Sequence, residues 1–182
     1  MSKYLIINAD DFGMCHAANI AVFDLFEKGG ITSSTVMTPC GWAPEALMFA
    51  KEHPEYAIGV HLTFTSEWKK YKWRPVSTGP NSSLRDETGY MHFHCDGFEK
   101  NAVPSEVEAE IRAQVAFAKQ YGLNPSHLDN HMGSLYGLEG IQNFLPLVFR
   151  LCAEMDYPFR MPLKQEEPKE VPDNLLSSMA DL

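Results

Sequence analysis

The stretch YLIINADDFG, residues 4–13, decides the fold expected of this chain. Its apolar part, Tyr4–Ile7, predicts a short buried strand, and the polar residues that follow end that strand abruptly. The same arrangement recurs along the chain. Ile31–Met37 is rich in β-branched residues, and Ala57–Leu62 is an apolar run that contains His61, so both predict strands. Parallel strands place their carboxyl ends at one edge of a sheet, and polar residues at those ends are expected to meet there.

Amphipathic segments separate the predicted strands. Apolar residues at helical spacing predict a helix around Ala18–Phe26, which Gly29 and Gly30 end. Further helices are predicted over Pro44–Glu52, behind a capping box at Ser105–Glu108, and over Leu138–Met155. Further strands are predicted at Ser126–Asn130 and Tyr157–Met161. The chain then continues into a charged tail, Lys164–Pro172, and a weak helical start after Asn174. This alternation implies an α/β fold with parallel strands and right-handed crossovers.

The number of units limits the architecture. An eight-stranded (β/α) barrel needs about 250 residues, whereas this chain has 182 residues and five predicted strands. The sheet is therefore either open or part of a barrel. We expect one domain over residues 1–182, with truncation at its C-terminus left open.

Residues 65–104 show no lasting helical or strand period and are rich in aromatic residues. A loop of this length inside one domain is usually functional, so we expect it to form a wall or lid over the carboxyl ends of the strands. Within it, Trp68 could stack on a sugar or could simply fix the loop.

Composition excludes several classes of partner. The formal net charge of −9 disfavours non-specific nucleic-acid binding and anionic membrane surfaces, and no apolar run approaches the length of a membrane helix. The four scattered cysteines read as reduced thiols, which predicts a cytoplasmic location. The sequence does not decide the oligomeric state and leaves a homodimer open.

Residue types that bind metals cluster at the predicted strand ends. Asp10 and Asp11 follow the first strand, His61 lies at the end of the third, and the run His127–His131 has the pattern His-x-Asp-x-His. Strand side chains alternate, so His127, Asp129 and His131 are expected on one face. Histidine and carboxylate ligands suit zinc or a similar divalent ion, and one of the two adjacent aspartates could serve as a general base.

Each feature also has a structural interpretation. Asp11 could cap the next helix, His61 could be a hydrogen-bonded core or surface histidine, and the histidine-rich run could form a structural network. The metal interpretation is favoured because all three features occupy the same kind of position in the fold.

Five ordered motifs resemble the YdjC-like carbohydrate deacetylases, a family that includes the chito-oligosaccharide (diacetylchitobiose) deacetylases and members labelled cellobiose-phosphate cleavage proteins. The motifs are Asn8–Gly13, Gly59–Thr63, Thr65–Trp68 with Arg74-Pro75, Ser83–Asp86 and His127–His131. The resemblance spans residue 4 to about residue 162.

The resemblance implies a distorted TIM-type (β/α) barrel, incomplete in this chain, with one divalent ion, Mg or Zn. It implies that Asp11, His61 and His131 are metal ligands and that Asp10 is the catalytic base. Residues that would support the ligands or bind substrate are His127, Asp129, Trp68 and Arg85. Members of the family are longer, so the resemblance also places further pocket residues, including a general acid, in a C-terminal part not found here.

The implied reaction removes the N-acetyl group from an N-acetylglucosamine-containing oligosaccharide such as chitobiose. The main alternative is a catalytically incomplete module that retains the metal and binds sugar or regulates. A glycosidase is a weaker alternative, because adjacent aspartates do not provide two carboxylates that flank a glycosidic bond.

Overall fold

The computed structural model describes residues 3–162. Its centre is a sheet of four parallel strands in the order β1-β2-β3-β4. The strands are β1 (Asn8–Phe12), β2 (Ser33–Val36), β3 (Ala57–Leu62) and β4 (Leu128–Asn130). The helices are α1 (His16–Glu27), α2 (Ala43–Glu52), α3 (Cys95–Asn101), α4 (Pro104–Gln120) and α5 (Leu145–Met155). The parallel α/β prediction is confirmed.

The core lies between the sheet and its helices. Strand residues such as Val60 and Leu128 are fully buried, as are helix residues such as Leu47 and Val107. In α4 the buried residues recur at helical spacing, which explains why one face of this helix packs on the sheet. These residues belong to one continuous hydrophobic cluster that fixes the strands that carry the candidate site.

The first strand differs from its prediction. The apolar run Tyr4–Ile7 lies before β1, and its side chains are exposed, from 92% at Tyr4 to 45% at Ile7. The backbone N–H of Ile7 donates to the hydroxyl of Thr32 at 2.8 Å, so a side chain takes the place of a ladder partner there. Regular pairing with β2 begins only at Asn8.

Two helix starts were also predicted wrongly. Helix α4 begins at Pro104 after Val103, so Ser105 is not its cap. Proline fits the first helical turn because its missing N–H would have no partner there. Helix α5 begins at Leu145 rather than Leu138, because the preceding loop donates backbone N–H groups to the carboxylate of Glu99.

The predicted fifth strand is reduced to a single parallel bridge between Leu128 and Phe159. Closure into a barrel is not seen among residues 3–162, and the barrel stays a prediction. The predicted tail elements, Lys164–Pro172 and the helical start after Asn174, lie outside the described residues. Across residues 3–162, the structure contains no helix with the length and apolar character needed to span a bilayer.

Candidate metal centre

Three ligand-type side chains meet at the carboxyl edge of the sheet. Asp11 lies in β1, His61 in β3, and His131 in the 3₁₀ turn directly after β4. Both imidazoles are buried, and one carboxylate oxygen of Asp11 lies 3.3 Å from Nε2 of His61 and 3.1 Å from Nδ1 of His131. The sequence prediction that these residues converge is therefore matched by the geometry.

These separations agree with a shared ion. Two neighbouring ligands that each lie about 2.0–2.2 Å from one zinc-like ion are separated by about 2.8–3.6 Å in octahedral or tetrahedral geometry. The ligand atoms of Asp11, His61 and His131 all lie within 4.8 Å of one another. The residues present thus fit a divalent cation in both donor type and spacing.

The backbone at this centre is unusual. Asp11 has φ 61° and Met132, directly after His131, has φ 56°, although neither is a glycine. The register between β1 and β2 also shifts between Ala9 and Phe12. Left-handed backbone at non-glycine residues is strained and is concentrated at functional sites. The irregularity in β1 places the Asp11 side chain beside the two imidazoles.

Asp129 holds the ring of His61 from the opposite side. Its Oδ1 lies 2.6 Å from Nδ1 of His61, which leaves Nε2 directed toward Asp11. Its Oδ2 accepts hydrogen bonds from the hydroxyl of Thr35 and from Nε of Arg160, both at 3.0 Å. A carboxylate that fixes the far nitrogen of a ligating histidine is a common support of metal sites.

Asp10 is oriented by two donors. Its Oδ1 accepts hydrogen bonds from Nη2 of Arg160 and from the side-chain amide of Asn8, at 2.5 and 2.7 Å. The ligand-type atoms of Asp10, His61 and Asp129 also lie within 4.8 Å of one another. However, the guanidinium of Arg160 contacts both of these carboxylates, and its positive charge disfavours a second cation at that position.

Charge at the centre shifts the pKa values of its members. Burial disfavours the imidazolium of His61, but hydrogen bonds to Asp11 and Asp129 and their negative charges outweigh burial and raise the pKa of His61 to about 9. Burial likewise raises the pKa of Asp11, but the two histidines overcome this and hold that pKa well below its usual range. When no ion is bound, the ionised carboxylate of Asp11 and the protonated ring of His61 therefore stabilise each other.

The histidine-rich run extends beyond the strand at its centre. β4 ends at Asn130, and His131 reaches the centre from the following turn. His127 precedes β4, contacts the hydroxyl of Ser126 at 2.9 Å and borders an apolar cavity with Ala57 and Phe159. Because β4 is only three residues long, His127 and His131 flank the strand and do not belong to it.

Trp68 and Arg85 are the two remaining predicted residues. Trp68 is 43% exposed, and its ring meets Tyr71 edge-on at 6.3 Å. Arg85 lines a polar cavity of about 440 Å³ together with Ser83 and Glu106, and the lining of that cavity includes none of the three ligand-type residues. Their roles in substrate binding stay predictions.

Three residues at the centre had received no role from the sequence. Arg160 and Thr35 contact Asp129, and Glu67 contacts His131. The signal that pointed to His61, a polar residue near the end of a predicted strand, was also present at Arg160. Thr35 gave no such signal, because threonine is ordinary in a strand.

Fold and site together define a class, a parallel α/β protein with a candidate centre for a divalent ion at the carboxyl edge of its sheet. The chain belongs to the YdjC-like protein family, whose model it matches over residues 4–180. This confirms the resemblance seen in the sequence motifs.

Named relatives agree with this assignment. A carbohydrate deacetylase of Geobacillus stearothermophilus is 31% identical over 94% of this chain and 64% of its own length. A chitooligosaccharide deacetylase of Yersinia enterocolitica is 28% identical over 88% of this chain and 60% of its own. A solved structure from Enterococcus faecalis, described as a cellobiose-phosphate cleavage protein, has a TM-score of 0.71 at 30% identity and covers 96% of this chain and 64% of its own. The chain thus spans less than two thirds of the length of these relatives.

Proposed function

We propose that residues 1–182 form one domain of a metal-dependent hydrolase that removes the N-acetyl group from an N-acetylglucosamine-containing oligosaccharide such as chitobiose. The observation that carries the proposal is the group Asp11, His61 and His131, with the separately held carboxylate of Asp10 beside it. The substrate class is supported by the names of the relatives from Geobacillus stearothermophilus and Yersinia enterocolitica.

Asp11, His61 and His131 would hold the ion. Two imidazoles and one carboxylate suit zinc or a similar ion better than magnesium, which prefers oxygen ligands. A bound divalent ion would supply a more acidic water and would polarise the acetamide carbonyl. Asp129 keeps the ring of His61 in the orientation that directs Nε2 toward Asp11.

Asp10 would act as the general base. Arg160 and Asn8 both donate to its Oδ1, and within residues 3–162 its Oδ2 accepts no hydrogen bond. That oxygen is available to take a proton from a water that attacks the amide.

The remaining parts of the proposal concern substrate contact and location. Trp68, exposed beside Glu67, would stack on a sugar ring. Four free cysteines support a cytoplasmic location. The alternative, a module that binds sugar without turnover, would retain the ion but release no acetate.

The test compares Asp10→Asn and Asp11→Asn for metal content and for acetate release from diacetylchitobiose. Asp10→Asn keeps the shape and cannot accept the proton, so we expect normal metal content and acetate release lowered by about 10²–10⁴-fold. Asp11→Asn should lose metal first. Asp24→Asn, which changes an exposed carboxylate on α1, is the matched control and should alter neither quantity.

Near-normal turnover by Asp10→Asn would contradict the assignment of the base. Metal loss in Asp10→Asn but not in Asp11→Asn would exchange the two roles. Stoichiometric metal without acetate release in the unaltered chain would support the sugar-binding alternative.

A further inference from the structure

The ring of His131 is held between two carboxylates. Its Nδ1 lies 3.1 Å from Asp11, whereas its Nε2 lies 3.1 Å from both carboxylate oxygens of Glu67. The ring is buried, and each of its two nitrogens contacts one of these carboxylates. Glu67 belongs to the long connection between β3 and α3. It lies within the motif Thr65–Trp68, but the sequence assigned no role to it.

We infer that Glu67 is the positioning residue for His131 at the metal centre, in the way that Asp129 positions His61. This inference rests on the proposed function, because it assumes that His131 binds the ion. The carboxylate of Glu67 accepts the N–H at Nε2 and so keeps the ring turned with Nδ1, the nitrogen that would bind the ion, toward Asp11.

The two histidines are arranged in the same way around Asp11. His61 presents Nε2 to Asp11 and Nδ1 to Asp129, and His131 presents Nδ1 to Asp11 and Nε2 to Glu67. Glu67 contacts Nε2 of His131, the nitrogen that does not face Asp11. It does not belong to the group of residues whose ligand atoms lie within 4.8 Å of one another. Its position is that of an orienting group and not that of a fourth ligand.

The backbone around Glu67 is fixed by its neighbours. The N–H of Ser66 donates to the carbonyl of His92 at 2.8 Å, and the hydroxyl of Ser66 accepts the N–H of Trp73 at 3.1 Å. The indole N–H of Trp73 donates to the carbonyl of Thr65 at 2.7 Å, and its ring packs 6.4 Å from that of His131. A carboxylate on a backbone segment that is already held in place loses little further freedom when it orients a ring.

The test titrates Zn²⁺ and Co²⁺ into the metal-free chain and into Glu67→Gln and Glu67→Ala. Supporting groups of this kind contribute about 10–100-fold to metal affinity. We expect about 10-fold weaker binding for the glutamine variant, which keeps one acceptor without charge, and about 100-fold for the alanine variant. One ion should still bind, and the visible Co²⁺ absorption bands should keep their positions because the ligand atoms are unchanged.

Glu55→Gln is the matched control. Glu55 contacts Nδ1 of His53 at 3.1 Å on the exposed surface, so this variant removes an equivalent pair away from the centre. It should leave metal affinity unchanged. Unfolding temperatures measured in chelator establish that each variant is folded. If the alanine variant does not fold, the metal affinity of the glutamine variant alone decides the test.

Two results would overturn the inference while the proposed function stands. One is an unchanged affinity in Glu67→Gln and Glu67→Ala. The other is a change in the Co²⁺ bands like that of His131→Ala, which would make Glu67 a ligand. Failure of the unaltered chain to bind either ion would instead reject the metal centre itself.

Discussion

His61 is the residue at which burial and charge oppose each other most directly. Its ring is buried, which alone would favour the neutral form, yet Asp11 and Asp129 touch its two nitrogens and raise its pKa to about 9. A histidine binds a metal ion only in its neutral form, so in the metal-free protein this imidazole carries a proton that the ion has to displace.

We therefore expect the stability of the metal-free protein to depend on pH through His61. The folded pKa is raised above the unfolded value of about 6.5, so this stabilisation is complete below pH 6.5 and is lost as pH rises through about 9. Urea unfolding in chelator across pH 6 to 10 measures the slope of the free energy of unfolding against pH. His61→Gln should flatten this slope, and an equal slope in that variant would contradict the assignment.

At this scale the sequence predicted the ligand atoms but not all of their supports. Asp11 and His61 belong to strand ends, and ligand chemistry is local to each residue. Arg160 depends on where the last bridge to Leu128 forms, and this register is a property of the whole fold. Glu67 lies in a loop without periodicity, so no pattern indicated which way it points.

Gly59 of β3 lies directly against His127, the residue before β4. A Cβ at this position would stand 2.4 Å from the backbone carbonyl oxygen of His127, next to the N–H of Val60 that bonds to the same oxygen. Only a residue without a side chain allows this approach. The approach also sets the distance between His61 and Asp129, which face each other two residues later.

Gly59→Ala should push β4 away from β3. We expect the free energy of unfolding to fall by about 1–3 kcal/mol, as for other overpacked sites. Metal affinity should fall as well, because Asp129 moves relative to His61. Denaturant unfolding and Zn²⁺ titration measure the two effects. Gly79→Ala is the control, since nothing lies within 4 Å of a Cβ there, and equal effects in the two variants would contradict the explanation.

The helices and strands were predicted well where a sequence pattern continues over many residues. They were predicted poorly where a single contact determines where an element begins. The helix pattern around Ala18–Phe26 lies within α1, and Ala57–Leu62 matches β3. By contrast, Tyr4–Ile7 is apolar but exposed, and it lies before β1. The start of α5 is set by Glu99, which no local pattern relates to residues 138–144.

Across the whole molecule, three glutamates on the helices fasten the long loops, and two of them, Glu99 and Glu110, are fully buried. Glu110 of α4 accepts the N–H groups of Val76 and Ser77, both at 2.9 Å. Glu106 accepts the N–H of Ser83, and Glu99 accepts those of the loop before α5. The contacts of Glu110 and Glu106 fasten the connection between β3 and α3, which carries Glu67 to the metal centre.

Glu110→Gln should loosen that connection. An amide offers one acceptor oxygen where the carboxylate used two, so one backbone N–H loses its partner at a cost of about 1–3 kcal/mol. We expect faster cleavage near residues 74–79 by a broad-specificity protease, read by mass spectrometry. Glu87→Gln changes an exposed glutamate of the same connection and should not alter cleavage. Unchanged cleavage in Glu110→Gln would contradict the fastening role.

The guanidinium of Arg160 is shared between Asp10 on β1 and Asp129 on β4. Evolution therefore cannot change the proposed base and the support of His61 independently, because any change at either carboxylate alters the charge that Arg160 presents to the other. The consequence is epistasis: the effects of substitutions at positions 10 and 129 will not add, and a replacement tolerated in one relative will be harmful in another that has a different residue at position 160.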